Sequence, residues 1–136
     1  MGLSEIADNF KRGVEALKAA EKFIELDIVV TANRVYIAGE NLAYSLLLAA
    51  FGSSSKDHAK IWSGIQELFE KGILKENYKP LLQNSYRIRM KGDYGRDTGG
   101  MAVVISKPIL RNQINSLKKF AKEAEKILSE KELLKD

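Results

Sequence analysis

The stretch RIRMKGDYG, Arg87 to Gly95, holds three cations, one carboxylate and a phenol, and a further cation follows at Arg96. A guanidinium is planar, and its parallel N–H groups match the oxygens of a phosphate. Arg87, Arg89, Lys91 and Arg96 are therefore candidate ligands for a polyanion. The charge is concentrated in this region. From Lys71 to Arg96 seven basic residues stand against two acids, a local +5, while the whole chain carries +4, so the remainder sums to −1. A one-sided basic segment is the footprint of polyanion contact. The plainer reading is a set of lysines that solubilise the edge of a helix-loop-helix.

Spacing limits what these residues do together. On a helix that persists to Asp93, Leu82, Tyr86, Arg89 and Asp93 follow at steps of four, three and four and share one face, while Arg87 is turned about 200° from Arg89. An Arg89–Asp93 pair has the cation on the N-terminal side, the weaker orientation, and adds only a few tenths of a kcal/mol, roughly, if exposed. As a stability device it is weak; as a braced guanidinium awaiting an anion it makes more sense. The structural alternative is that Arg89 and Asp93 clamp a helix end while Gly92 or Gly95 lets the chain turn.

The rest of the composition excludes much other chemistry. With no cysteine there is no disulfide framework, thiolate zinc site, iron–sulfur cluster or cysteine nucleophile. His58, the single histidine, falls three residues before Ile61 and four before Trp62, which predicts a packing and capping residue rather than a catalyst, with no second histidine for a metal site. No phosphate loop, nucleophile elbow or dinucleotide fingerprint occurs, and neither metal nor cofactor is expected. The most apolar run, Ile28 to Phe51, is broken by Asn33, Arg34, Glu40 and Asn41, so no membrane span is expected, and the cytoplasm is the default location.

The elements that must position the motif read as helical throughout. At 136 residues the chain is expected to be one domain, residues 1–136, of all-α class: an antiparallel bundle of about five helices. Leu3, Ile6, Phe10, Val14, Leu17 and Ile24 predict a first helix from near Ser4 to Glu25. A turn at Leu26 and Asp27, with Asp27 as N-cap, leads into a second helix over Ile28 to Phe51, ended by Gly52. Its stripe of Ile28, Ala32, Val35, Gly39, Leu42, Leu46 and Ala49 makes it the central helix, and its small residues admit a close neighbour. A third helix is predicted over Ser55 to Lys71, capped by the serines, with Asp57 in its first turn, burying Ile61, Trp62, Ile65, Leu68 and Phe69. After a linker ILKENY, a fourth runs from Lys79 to Lys91. The loop GRDTGG and a stretch MAVVISK, read as extended, precede a last helix capped by Ser106 that carries Leu110, Ile114, Leu117, Ala121, Ala124 and Leu128.

The order of these features is similar to that of the HEPN domain family, its small prokaryotic members above all. The pieces that carry the resemblance are RVYIAGENLAYSLLLAAFG, then KDHAKIWSGIQELFEKGIL, then a helix ending in RMKGDYG, then LKKFAKEAEKIL; the most specific is Arg89 followed by Asp93 and Tyr94. It spans Ala19 to Leu128. The resemblance implies a four-helix up-and-down core, a homodimer with the arginine region at its cleft, RNA or a nucleotide as ligand, and a minimal nucleotidyltransferase as partner in a toxin–antitoxin-like pair. The small-residue stripe points to a dimer as well. Several members are metal-independent ribonucleases that pair an arginine with a histidine four to six residues on. Here Tyr94 stands five beyond Arg89, and the window after Arg87 holds Lys91, Gly92 and Asp93. Tyrosine, with a reference pKa near 10, is a poor general base. Catalysis would then fall to Arg89, Asp93 and Tyr94, with Asp93 accepting the proton, across a dimer if need be. Tyr94 is also implied as a residue that the partner nucleotidyltransferase modifies. The alternatives are a non-catalytic interaction module and a ribonuclease toxin with a non-standard base.

Overall fold

A computed structural model of the chain describes residues 2–94 and 105–134, with side chains described for residues 5–90 and 105–134. Among the described residues the elements are five helices, α1 (Gly2–Phe23), α2 (Ile28–Phe51), α3 (His58–Glu70), α4 (Lys79–Tyr94) and α5 (Lys107–Glu130). The all-α bundle expected from periodicity is what forms. None of these helices is long and apolar enough to cross a membrane. The stretch read as extended before Ser106 falls largely on residues 101–104, which lie outside the described residues.

Local chemistry sets the boundaries. Asp27 caps α2, its carboxylate accepting from the backbone N–H groups of Val29 and Val30 at 3.0 Å each. Gly52 ends α2 at φ 77°, a left-handed conformation that costs glycine nothing, with its N–H donating to Leu48. Ser106 caps α5 by accepting from Ile109 N–H, as its position before Pro108 predicts. The start of α3 differs from the sequence expectation. Asp57 is the cap, accepting from Lys60 N–H at 3.2 Å, while the Ser55 hydroxyl accepts from Asp57 N–H at 3.0 Å and only turns the chain into the helix. Helix α3 therefore begins at His58 and is one turn shorter than predicted. Lying against α2 and α4 at the side of the bundle, it has a narrow strip to cover. Ile61, Ile65 and Leu68 fill that strip, Trp62 is half-buried, and Phe69, one residue beyond Leu68, turns out to 39 % exposure. Its predicted burial is corrected.

Helix α2 is central, as its stripe requires. A Cβ placed on Gly39 would lie 2.8 Å from Leu82 Cδ2 of α4 and 3.4 Å from Leu117 Cδ2 of α5. On the other side Gly13 of α1 brings that helix against Leu42 and the Ala38 carbonyl oxygen. The small-residue stripe is thus consumed within the chain, and it no longer argues for a dimer. Helix α4 runs antiparallel to α2, with Leu82 on Gly39, Tyr86 beside Tyr36 and Arg89 beside Asn33. Helix α5 runs antiparallel to α1, stapled by Glu25 to Lys107 and Arg111 and by Glu21 to Lys118 at 2.6 Å. Hydrogen bonds from Lys107 and Arg111, with their charges, hold the Glu25 carboxyl below its ordinary value.

The segment read as a linker is part of the core. Leu74 and Tyr78 are buried, the Tyr78 ring stacks on Phe120 with centroids 4.5 Å apart, and its hydroxyl donates to Glu123. Burial, then the Glu123 hydrogen bond and charge, push the Tyr78 phenol above its ordinary pKa. This contact anchors the start of α4 and so the register of everything along it.

Candidate functional site

Helix α4 continues through Tyr94, so the backbone positions of Leu82, Tyr86, Arg89 and Asp93 do fall on one helical face. At the level of side chains Arg89 is half-buried in the seam between α4 and α2. Its guanidinium carbon sits 4.6 Å from the centre of the Tyr36 ring, within the range where a cation is drawn to an aromatic face by about 0.5–2 kcal/mol. Its Nε–H donates to Asn33 Oδ1 at 3.3 Å. Both of these fixtures are neutral. They fix the plane and the direction of the guanidinium from the α2 side. Asn33 and Tyr36 are three residues apart on α2, so one face of that helix supplies both.

The other predicted residues divide. Arg87 is exposed and turns to the opposite side of α4 from Arg89, toward Trp62. The side chains of Lys91, Asp93 and Tyr94, and Arg96 altogether, lie outside the described residues. The Arg89–Asp93 pair and the reactive role of Tyr94 lie there with them.

Three helices meet around the Tyr36 ring. Tyr86 of α4 lies 5.8 Å from it and His58 of α3 lies 5.9 Å, centroid to centroid, while His58 and Tyr86 are 4.6 Å apart. Trp62 closes the group, stacked on His58 at 6.0 Å and edge-on to Tyr86 at 5.6 Å. His58 is therefore a packing residue, as its position predicts, but not the cap of α3. It also makes polar contacts that its position does not predict: Nδ1 is 3.3 Å from the Tyr36 hydroxyl and 3.5 Å from Glu40 Oε2. The Nδ1–H form is the assignment that satisfies all three groups, because the carboxylate only accepts. Burial, followed by the hydrogen bond to Glu40 and its charge, raises the Tyr36 phenol above its ordinary pKa, and the Arg89 charge opposes this in part.

Two hollows flank the cluster, and their linings differ in charge. A cleft of about 600 Å³ between α1 and α2 has Tyr36 and Glu40 in its wall; its carboxylates Glu5, Asp8 and Glu40 outnumber its cations Arg12 and Lys56. With one more acid than base, it is not a polyanion groove. A smaller hollow of about 250 Å³ between α3 and α4 has Arg87 as its charged residue. Of these two linings, the one between α3 and α4 carries the net positive charge, from Arg87.

Asn33, Tyr36 and Glu40 are site residues that the motif-centred reading missed. Their signal was present: polar residues interrupt the apolar run of α2 at steps of three and four, and they mark a helical face turned to something other than hydrocarbon. Compared with protein-family models and with curated proteins, the chain finds no match.

Proposed function

We propose that the chain is a HEPN-type helical protein that binds RNA or a nucleotide through Arg89, with Arg87, Lys91 and Arg96 supplying further positive charge. The observation that carries this reading is the fixing of the Arg89 guanidinium by a ring face and an amide oxygen, inside the segment that holds the whole basic excess of the chain. A pre-oriented guanidinium loses less conformational freedom on meeting a phosphate than a lysine would. The five-helix antiparallel bundle fits the resemblance, and the order Arg89, Asp93, Tyr94 is its most specific part. The test is anisotropy of a labelled twelve-residue oligouridine with the parent and with Arg89→Ala. Binding weakened on the order of ten-fold, with the melting temperature nearly unchanged, supports the reading. Equal binding with a lowered melting temperature would instead make Arg89 a pin between α2 and α4, the residue of a non-catalytic interaction module. The resemblance extends the proposal to a homodimer, checked by sedimentation at micromolar concentration, and to a minimal nucleotidyltransferase as partner.

A second reading, cleavage of the RNA, is favoured by one observation. The motif lacks its histidine, yet His58 reaches the Tyr36 ring from α3, and Glu40 lies beside it. In that reading the imidazole accepts the ribose 2′-hydroxyl proton as that oxygen bonds to phosphorus, and the bond from phosphorus to the 5′-oxygen breaks to leave a 2′,3′-cyclic phosphate. The departing 5′-oxygen takes the proton back from the imidazolium, and Arg89 balances the charge on the phosphoryl oxygens. Cleavage that persists in EDTA and is lost in His58→Gln is the expected outcome; intact RNA after prolonged incubation rejects it.

A further inference from the structure

The hollow on the α3–α4 side has a chemistry of its own. It is lined by Trp62 of α3 and by Gln83, Tyr86, Arg87 and Met90 of α4. Gln83, Arg87 and Met90 stand at i, i+4 and i+7 and form one strip along α4, and the Trp62 ring rises beside it, held edge-on to Tyr86. Two aromatic rings, a thioether, an amide that both donates and accepts, and one exposed cation suit a planar ligand with a π-face, a polar edge and an attached anion. That description fits a nucleobase on its phosphate backbone. A volume of about 250 Å³ is below the usual range for a whole small-molecule site, so one ring system enters rather than a complete nucleotide.

Tyr86 joins this hollow to the Arg89 seam. On the helix it lies between the two, with Arg89 and Leu82 to one side and Gln83 and Met90 to the other, and its ring touches both Trp62 and Tyr36. A strand that lays a base against Trp62 therefore has Arg87 for one phosphate and the Arg89 side of α4 within reach of its neighbour. We infer that the Trp62–Tyr86 hollow is a stacking platform for one unpaired base of single-stranded RNA, with Arg87 holding the adjacent phosphate. Duplex RNA keeps its bases stacked on one another and offers no free face, so it is not the substrate of this platform. The inference rests on the proposed RNA reading and narrows it to single strands.

Trp62 is the single tryptophan of the chain, so its emission reports on the platform alone. The parent protein is titrated with three probes of equal length: an oligouridine, an abasic strand with the same phosphates, and an RNA duplex. Stacking predicts quenching of Trp62 emission by the oligouridine only, and affinity for it on the order of ten-fold above that for the abasic strand. Trp62→Leu brings the oligouridine down to the abasic affinity and leaves abasic binding as it was. Should that variant fail to fold by circular dichroism, the parent's emission and the abasic comparison stand without it. Oligouridine and abasic strand bound equally, with Trp62 emission unmoved, overturns the platform and leaves the Arg89 reading intact. A duplex bound as tightly as the single strand also overturns the platform. No binding of any probe overturns both.

Discussion

Helix α2 meets its neighbours in two ways. Around Gly39 it is dry: Leu82 and Leu117 close on Gly39 from one side, Gly13 of α1 closes on Leu42 and Ala38 from the other, and the contact is set by shape. On an adjoining face, between Asn33 and Glu40, the same helix presents Asn33, Tyr36 and Glu40 to Arg89, Tyr86 and His58, and the contact is set by charge, ring faces and hydrogen bonds. The dry seam determines whether the chain folds. The polar seam stays half-open, and its groups constrain one another across three helices, which is the condition for a site that recognises something. Changes to the first seam should act on stability, and changes to the second on recognition.

The largest effects belong to the dry seam. Leu42→Ala and Leu117→Ala, both at buried positions of that seam, are expected to cost about 2–5 kcal/mol in urea unfolding. Tyr36→Phe, which deletes one hydroxyl from the polar seam at neutral pH, should cost no more than about 1.5 kcal/mol. Comparable losses in the two sets would break the distinction. The glycines sharpen it further. A methyl on Gly13 meets the Ala38 carbonyl oxygen at 3.2 Å, and a backbone atom cannot step aside, so Gly13→Ala should lose about 1–3 kcal/mol. A methyl on Gly39 meets only the ends of leucine side chains, and with about 1 kcal/mol gained in helix propensity the change should be near neutral.

Titration separates the seam from the surface. The Tyr36 pKa is raised in the folded state, so the stability it contributes is complete below the unfolded value near 10 and is lost as pH rises through the folded value. Tyr36→Phe should flatten the alkaline fall of the melting temperature above about pH 10, with the Tyr78–Glu123 contact responsible for what remains. The smallest effect is at Glu25. Its pKa is lowered, so its contribution is present above the unfolded value of 4.5 and lost as pH falls through the folded one. Because the Glu25 staple is exposed, Glu25→Gln should move the acid limb of the melting profile slightly and leave RNA binding untouched.

Much of this was legible in the chain. Asp27, Gly52 and Ser106 announce their helix ends through chemistry that acts within a few residues, and the stripe through Val35, Gly39 and Leu42 marks α2 as central. What could not be read was what each small residue faces: Gly39 looks the same in sequence whether Leu82 or another subunit fills the gap. At the start of α3 Ser55 and Asp57 are both good caps, and only the backbone decides which one the helix uses. For the site, spacing places Arg89 on the Leu82 and Tyr86 face, but its partners Asn33 and Tyr36 lie more than fifty residues away, and no local pattern ties them to it. The spacing of His58 to Ile61 and Trp62 concerns its own helix, whereas its polar contacts come from α2.

The salt dependence of oligouridine binding tests the Arg89 site most directly. Each phosphate neutralised on a single strand contributes about 0.7 to the slope of log affinity against log salt. Arg89→Ala is predicted to bind on the order of ten-fold more weakly and to lose about one such increment, with its fold unchanged. The same affinity and the same slope in parent and variant would contradict an anion site at Arg89.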